Sequence, residues 1–233
     1  MIATTHSTGF GIFELIFFIC IGIGVFIASI FQKRARQQRT RDLQILARRL
    51  GFDNFNPDRD EDFVQGWGFL SRLSQGSDRY AFNVLRGSYQ GQALFIFDYH
   101  FQTGSGKNRQ DHLNTMLMLV VKEAFPQMFI SRENLLREMM TAFGIADEIK
   151  FESAEFSKAF CVRCKDKKFA YDVCNAQMME FLLANRDLQP EIQGPVISIA
   201  FEPQLPVEKI EFNLQRLAQV RSLMPDYLFT QNA

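Results

Sequence analysis

The residues best suited to acid–base chemistry lie within one short stretch of the chain. Asp98 and His100 are two positions apart, and His112 follows after a loop. A carboxylate next to an imidazole can hold or move a proton near neutral pH. Spacing places neither a serine nor a cysteine nucleophile beside them. The sequence therefore names these three residues as catalytic candidates, but it favours a polar contact in or beside a sheet.

The loop between the two histidines contains a glycine-rich motif. Its members are Gly104, Ser105, Gly106, Lys107 and Arg109. Two glycines beside two cations can present backbone N–H groups and positive charge to an anion. A nucleotide-binding phosphate loop would need a glycine at position 101 and a hydroxyl residue at position 108. Phe101 and Asn108 stand there, so the motif predicts a flexible hairpin tip, with an anion-binding loop as the alternative.

Two patterns of metal-binding residue types are incomplete. Cys161 and Cys164 have CxxC spacing and Cys174 follows, but a zinc site would need a second pair of cysteines or histidines. Residues 53–62 carry alternating aspartates, yet phenylalanine stands where a calcium loop needs its glycine and its last glutamate. We therefore predict three reduced thiols, no metal site and no cofactor.

An apolar segment near the N-terminus predicts a transmembrane helix over residues 9–31. Residues 15–31 carry no charge, and only Glu14 interrupts the longer stretch. At 1.5 Å per residue the shorter and longer spans measure about 25 and 34 Å, against a hydrocarbon core of about 30 Å. A cleaved signal peptide would have positive charge before the apolar run and small residues after it, and this sequence has neither.

Basic residues follow the apolar segment and do not precede it. Residues 1–14 contain no Lys or Arg, whereas residues 33–50 contain seven: Lys33, Arg34, Arg36, Arg39, Arg41, Arg48 and Arg49. The positive-inside rule then predicts a single-pass protein of the inner (cytoplasmic) membrane, with a short outer tail (1–14) and a cytoplasmic domain (52–233). The basic residues either fix this topology only or also bind anionic lipid, and the two roles are compatible.

Small residues recur along one face of the predicted transmembrane helix. Cys20, Gly24 and Ala28 are four positions apart. Small residues at this spacing let two helices approach closely, which predicts self-association as one option.

The remaining pattern predicts an α+β fold with an antiparallel sheet and packed helices. Apolar residues at helical spacing indicate a basic amphipathic helix over 33–51. Alternating residues over 79–86 and 92–101, and an apolar run over 113–121, indicate three strands of a meander. Further elements are predicted as a helix over 132–143 capped by Ser131, a strand over 157–164, a helix capped by Asn175, a hairpin over 188–201 turning at Gln193–Pro195, and a last helix from Pro206. If the domain has two lobes, they divide near residue 145.

Two segments resemble those of a group of bacterial membrane-anchored proteins of unknown function. Residues 97–112, FDYHFQTGSGKNRQDH, fit an FDY-x-[YF]-x-TGSGK hairpin motif. Within residues 151–183 a second motif, F-x-x-x-F-x-V-x-x-x-D-x-x-x-A, is met by Phe156, Phe160, Val162, Asp166 and Ala170. The resemblance covers most of residues 36–225. It implies a membrane anchor and a bacterial source, and it implies no activity.

The balance of charged residues bears on the class of partner. Basic and acidic residues number 26 each, and this balance argues against nucleic acid as a partner. We find no convincing catalytic signature and predict a membrane-anchored interaction or scaffold module with a protein partner. The alternative is a membrane-tethered enzyme or anionic-ligand sensor that uses the face of Asp98 and His100 together with the glycine loop. Convergence of these groups on a concave pocket would favour the alternative.

Overall fold

The computed structural model describes residues 12–52, 54–132 and 148–230, with side chains from residue 15 onward. The chain divides into two compact units, Met1–Asp42 and Leu43–Ala233. The predicted outer tail, the side chain of Glu14, most of the predicted helix over 132–143 and the predicted lobe boundary near 145 lie outside the described residues. The structure does not test the predictions for these segments, which therefore remain predictions.

The first unit consists, in its described part, of a single apolar and then basic helix. Helix α1 runs from Ile12 to Arg49. It is the one helix of the described residues that is long and apolar enough to cross a membrane, and none of its apolar window is buried. The segments predicted as a transmembrane helix and a separate basic helix are thus parts of one continuous helix.

The second unit begins with the last turns of that helix. Leu43, Leu46 and Ala47 are buried in its main core, as the helical spacing predicts. Arg48 and Arg49 stay exposed on the other side, and an ion pair of 2.8 Å joins Arg49 to Glu211. The amphipathic pattern therefore marks where the chain enters the folded domain.

Within the described residues, seven strands of different lengths form one sheet, and all their pairings are antiparallel. They are β1 (Asn54–Asn56), β2 (Ser77–Tyr89), β3 (Gln92–Thr103), β4 (Gln110–Arg132), β5 (Glu148–Ile149), β6 (Phe160–Cys164) and β7 (Pro190–Phe201). The order is β1-β2-β3-β4-β6-β5, with β7 also paired to β4. The predicted meander of β2, β3 and β4 is confirmed.

Strand β4, with 23 residues, has a neighbouring strand on both edges over two stretches. Residues 115–120 pair with both β3 and β7, and residues 128–129 pair with both β6 and β7. A strand has only two edges, so β3 and β6 lie one after the other along one edge and β7 lies along the other.

Short helices cover both faces of the sheet. They are α2 (Glu61–Gly66), α3 (Ser71–Ser74), α4 (Ala154–Ala159), α5 (Lys167–Val173), α6 (Ala176–Ala184) and α7 (Ile210–Leu223), with 3-10 turns at Gly106–Asn108, Val207–Lys209 and Asp226–Phe229. Side chains of Asp60, Ser153, Asp166 and Asn175 accept a hydrogen bond from the backbone N–H three residues later. Such caps satisfy donors that a helix start leaves open.

Each face of the sheet has its own core. Leu94 and Ile96 of β3 belong to the larger core, which also contains the buried residues of α1, α5, α6 and α7. Phe97, Tyr99 and Phe101 belong to the smaller core under α2 and α3. This alternation confirms the predicted faces of β3 and the α+β class.

Several predicted boundaries differ from the structure. Residues 157–159 end helix α4, so the strand predicted there begins at Phe160. The predicted hairpin over 188–201 is the single strand β7, in which Gly194 takes φ +54° at a register shift. Ser131 and Arg132 belong to β4, so no helix starts at Arg132. Helices α2, α3 and α5 are too short to show a helical period.

A largely buried ion pair joins α3 to the sheet. Glu191 is 0% exposed, and its carboxylate accepts from the backbone N–H of Ser71 at 2.6 Å. Arg72 Nε lies 3.7 Å from the same carboxylate, and the guanidinium stacks over Phe129 at 4.6 Å. Burial raises the pKa of Glu191 and lowers that of Arg72, because an interior charge loses its hydration.

We predict that Glu191→Gln lowers the free energy of unfolding by about 3–5 kcal/mol, because it leaves the Arg72 guanidinium buried without its counter-charge. Denaturant unfolding of the full chain in detergent, followed by the fluorescence of the single tryptophan, Trp67, measures this.

The matched control is Glu155→Gln. Glu155 pairs with Arg186 at 2.9 Å, but both side chains are more than half exposed. The loss there should stay below about 1 kcal/mol, and equal losses for the two variants would contradict the prediction.

Candidate functional site

Asp98 lies in a buried polar network that ties strands together. Asp98 is 1% exposed. Asn83 Nδ2 donates to one carboxylate oxygen at 2.9 Å, and Thr115 Oγ1 donates to the other at 3.2 Å. Thr115 Oγ1 in turn accepts from the backbone N–H of Leu205 at 3.0 Å. The carboxylate thus joins β2, β3, β4 and the segment before α7, and this position suits a structural role.

His100 shares the face of Asp98 but has its own partners. Its Nδ1 lies 3.0 Å from the backbone oxygen of Asp78, and its Nε2 lies 3.1 Å from Asp111 Oδ1. The ring stacks on Tyr80 with centroids 4.5 Å apart. Both partner oxygens are acceptors only, so both contacts are hydrogen bonds when both ring nitrogens carry a proton. Hydrogen bonds from Gln102 and His100 lower the pKa of Asp111.

His112 lies on the opposite face of the hairpin. Its Nε2 is 2.8 Å from Thr103 Oγ1, and its Nδ1 is 2.7 Å from Glu202 Oε1. The ring stacks almost parallel on Phe101, at 4.6 Å and 10°. The three predicted catalytic candidates are therefore not brought together: Asp98 and His100 share one face, and His112 belongs to a different cluster.

The glycine loop is exposed throughout residues 104–109. A 3-10 turn closes it, with Asn108 N–H donating to Ser105 at 3.1 Å. Gly104 takes φ +73°, and a Cβ there would overlap the Asn108 carbonyl. Strand β4 follows the loop, where a phosphate loop would lead into a helix. The side chains of Lys107 and Arg109 are exposed rather than gathered around a concave site.

An open depression of about 580 Å³ lies beside α2, α3 and the start of β2. Arg59 and Asp78 line it, and an ion pair of 2.7 Å joins them. Glu61, also in the lining, pairs with the same guanidinium at 2.7 Å. None of the residues that the sequence named as candidates lines this depression.

The predicted thiols are free, and those of the second unit are buried. Burial raises the pKa of the Cys161 thiol to about 11 and raises those of Cys164 and Cys174 as well. A thiol held in this form is a poor nucleophile. Among the described residues no group of three or more His, Cys, Asp or Glu side chains could hold a metal ion.

The residues named on α1 are exposed. Cys20, Gly24 and Ala28 lie on the apolar part of the helix. The basic residues Lys33, Arg34, Arg36 and Arg41 follow on exposed positions, and Arg39 is half-buried.

Sequence reasoning missed the partners of both histidines. Thr103 stands directly before the glycine loop, so its hydroxyl could have been noticed there. Asp111, next to His112, could also have been found. Glu202 lies 90 residues from His112 in the chain, and no local signal marks a contact over that separation.

Comparison with known proteins adds a fold similarity. No protein-family model and no curated protein matches the chain. The fold is similar to the crystal structure of the mycobacterial trehalose monomycolate transport factor A, TtfA, with a TM-score of 0.55 and 17% sequence identity. The alignment covers 79% of this chain and 93% of TtfA. At this identity the similarity concerns the fold alone.

We predict that Asp98→Ala destabilises the domain, because it removes the acceptor of two buried donors. Loss of a buried hydrogen-bond partner costs about 1–3 kcal/mol per group. The melting temperature of the full chain in detergent measures this. Asp111→Ala, which removes a carboxylate that is 64% exposed, is the control and should change the melting temperature less. The reverse order would contradict a structural role for Asp98.

Proposed function

We propose that the protein is a membrane-anchored module that presents its α+β domain to a protein partner at the cytoplasmic face of the inner membrane. One observation carries the proposal. A helix whose apolar residues are exposed continues into turns that are buried in the core of the second unit. An exposed apolar helix of this length is stable in lipid and not in water, so this chain is suited to hold its domain at a membrane.

The geometry of the candidate residues supports an interaction module over the anionic-ligand sensor. A sensor built on Asp98, His100, Lys107 and Arg109 would need these groups around one concave site. Asp98 and His100 are engaged inside the sheet, while the two cations are exposed on the loop. This scatter favours a surface that binds a macromolecule.

The comparison with TtfA is consistent with the proposal. TtfA is a mycobacterial trehalose monomycolate transport factor. We infer that this chain, with a similar fold, has a membrane-associated role.

The basic residues of 33–50 are proposed to set orientation and to attract anionic lipid. A basic residue near an anionic leaflet contributes about 1 kcal/mol, and the excess of Lys and Arg keeps its side of the helix in the cytoplasm. Residues 51–233, in contrast, hold 24 of the 26 acidic residues. The attraction is therefore local to α1.

Orientation gives the first test. Replacing Lys33, Arg34 and Arg36 with glutamine should invert a measurable fraction of chains, because it removes the charges closest to the apolar segment. A C-terminal reporter that is active only in the cytoplasm measures the fraction. Asp42→Asn is the control and should leave orientation unchanged, since acidic residues contribute little to it. A wild-type reporter on the outer side would contradict the proposed topology.

The partner gives the second test. Purification of the tagged full-length chain in mild detergent from its native membrane, with mass spectrometry, should recover a stoichiometric partner. The control carries residues 1–42 on an unrelated soluble domain and should lose that partner. A clean monomer or homodimer, or a partner retained by the control, would contradict presentation by the α+β domain.

A further inference from the structure

Three side chains from separate parts of the chain form a continuous hydrogen-bonded line at one end of the sheet. Thr103 ends β3, His112 lies near the start of β4, and Glu202 follows β7 directly. Thr103 Oγ1 lies 2.8 Å from His112 Nε2, and His112 Nδ1 lies 2.7 Å from Glu202 Oε1. A hydroxyl, an imidazole and a carboxylate in this order are the parts of an activated nucleophile, with the roles recognised by geometry and not by sequence position.

The Glu202 carboxylate fixes which nitrogen of the His112 ring carries the proton. Glu202 can only accept in its ionised form, so His112 Nδ1 must donate to it. In the neutral ring Nε2 is then left as an acceptor, and it faces the hydroxyl of Thr103 at hydrogen-bond distance. The arrangement thus prepares Nε2 to take the hydroxyl proton.

Surrounding contacts hold the imidazole in this orientation. The ring stacks on Phe101, and the amide of Asn114 can donate to the second carboxylate oxygen of Glu202 at 3.3 Å. The His112 side chain is 19% exposed, so the ring is fixed but accessible. Preorganisation of this kind is what a general base needs, because the geometry then costs nothing at the moment of reaction.

The glycine loop begins at the residue after Thr103. A Cβ placed on Gly104 would overlap the Asn108 carbonyl, whereas one placed on Gly106 would meet open space. The absence of a side chain at Gly106 lets a substrate approach the backbone there, and the N–H of the residue after a nucleophile is a recurrent donor to a developing oxyanion. Lys107 and Arg109 add positive charge to the same loop.

We propose that Thr103, His112 and Glu202 form a site that hydrolyses carboxylic esters through an acyl-threonine intermediate. Thr103 Oγ attacks the ester carbonyl while its proton passes to His112 Nε2. The tetrahedral intermediate collapses, the ester C–O bond breaks, and the leaving alcohol takes the proton from His112. Water then attacks the acyl-threonine with His112 again as base, which releases the acid and restores the hydroxyl. Glu202 is a positioning residue.

The test uses the full-length chain in detergent with two probes, a fluorophosphonate and p-nitrophenyl butyrate. The fluorophosphonate should attach to Thr103, seen as added mass on its peptide, with release of fluoride. Thr103→Ala and His112→Gln should each lower the rate at least about 100-fold, in line with the loss of a nucleophile or of a general base.

Matched variants separate catalysis from folding. Thr103→Ser should retain more activity than Thr103→Ala because it keeps a hydroxyl, and His100→Gln should leave the rate unchanged because that imidazole belongs to the other cluster. Glu202→Gln should lower kcat with little change in KM, while Glu202→Asp should restore part of kcat. The rates are compared only among variants whose melting temperature matches that of the wild-type chain.

Failure is clear in either probe. A folded wild-type chain that does not take up the fluorophosphonate on Thr103, or that does not hydrolyse the ester above the background rate, overturns the proposal. Hydrolysis that survives Thr103→Ala overturns it as well, since no acyl-threonine can form. The membrane-anchored interaction role does not depend on this outcome, because its tests measure orientation and partners.

Discussion

The second unit depends on the hydrogen bonds along the two edges of β4. One edge holds β3 and then β6, and the other edge holds β7. Residues 115–120 have a strand on each side, so their side chains can point only into the two cores. Leu117 and Leu119 enter the larger core, and Met116 and Met118 enter the smaller one. A single long strand thereby joins segments that are far apart in the chain into one sheet with two cores.

The same register gathers the polar residues at one end of the sheet. Phe101 pairs with His112, and Thr115 pairs with Phe201. Glu202, one residue beyond that pair, is thus brought beside Asn114 and His112. Because neighbouring positions on a strand alternate between faces, His100 and His112 end on opposite sides although both flank one loop. The separation of the two histidine clusters is a consequence of strand pairing.

Local periodicity explains which parts of the fold the sequence predicts. The alternation in β3 sends its side chains to two faces, each of which has a core, and the helical spacing of Ile210, Leu214 and Leu217 buries one face of α7; the structure confirms both. Helices of four to seven residues leave no period to detect. Gly194 with Pro195 resembles a turn, yet β7 continues through it because β4 offers pairing partners on both sides of the register shift, with the extra residues on β4.

Contacts over long separations explain what the sequence cannot predict about the site. The carboxylates of Glu191 and Glu202 find their partners across 120 and 90 residues, and such pairs depend on sheet order and not on spacing.

The proposed anchor would change what the domain needs in order to act. A helix that spans the membrane would confine the folded domain to its surface, and such confinement raises the effective concentration toward a partner or substrate in the same membrane. A shallow surface can then suffice where a freely diffusing protein would need a deep pocket. The open loop beside the His112 imidazole is such a surface, because strand pairing already fixes the contacts of that ring with Thr103 and Glu202.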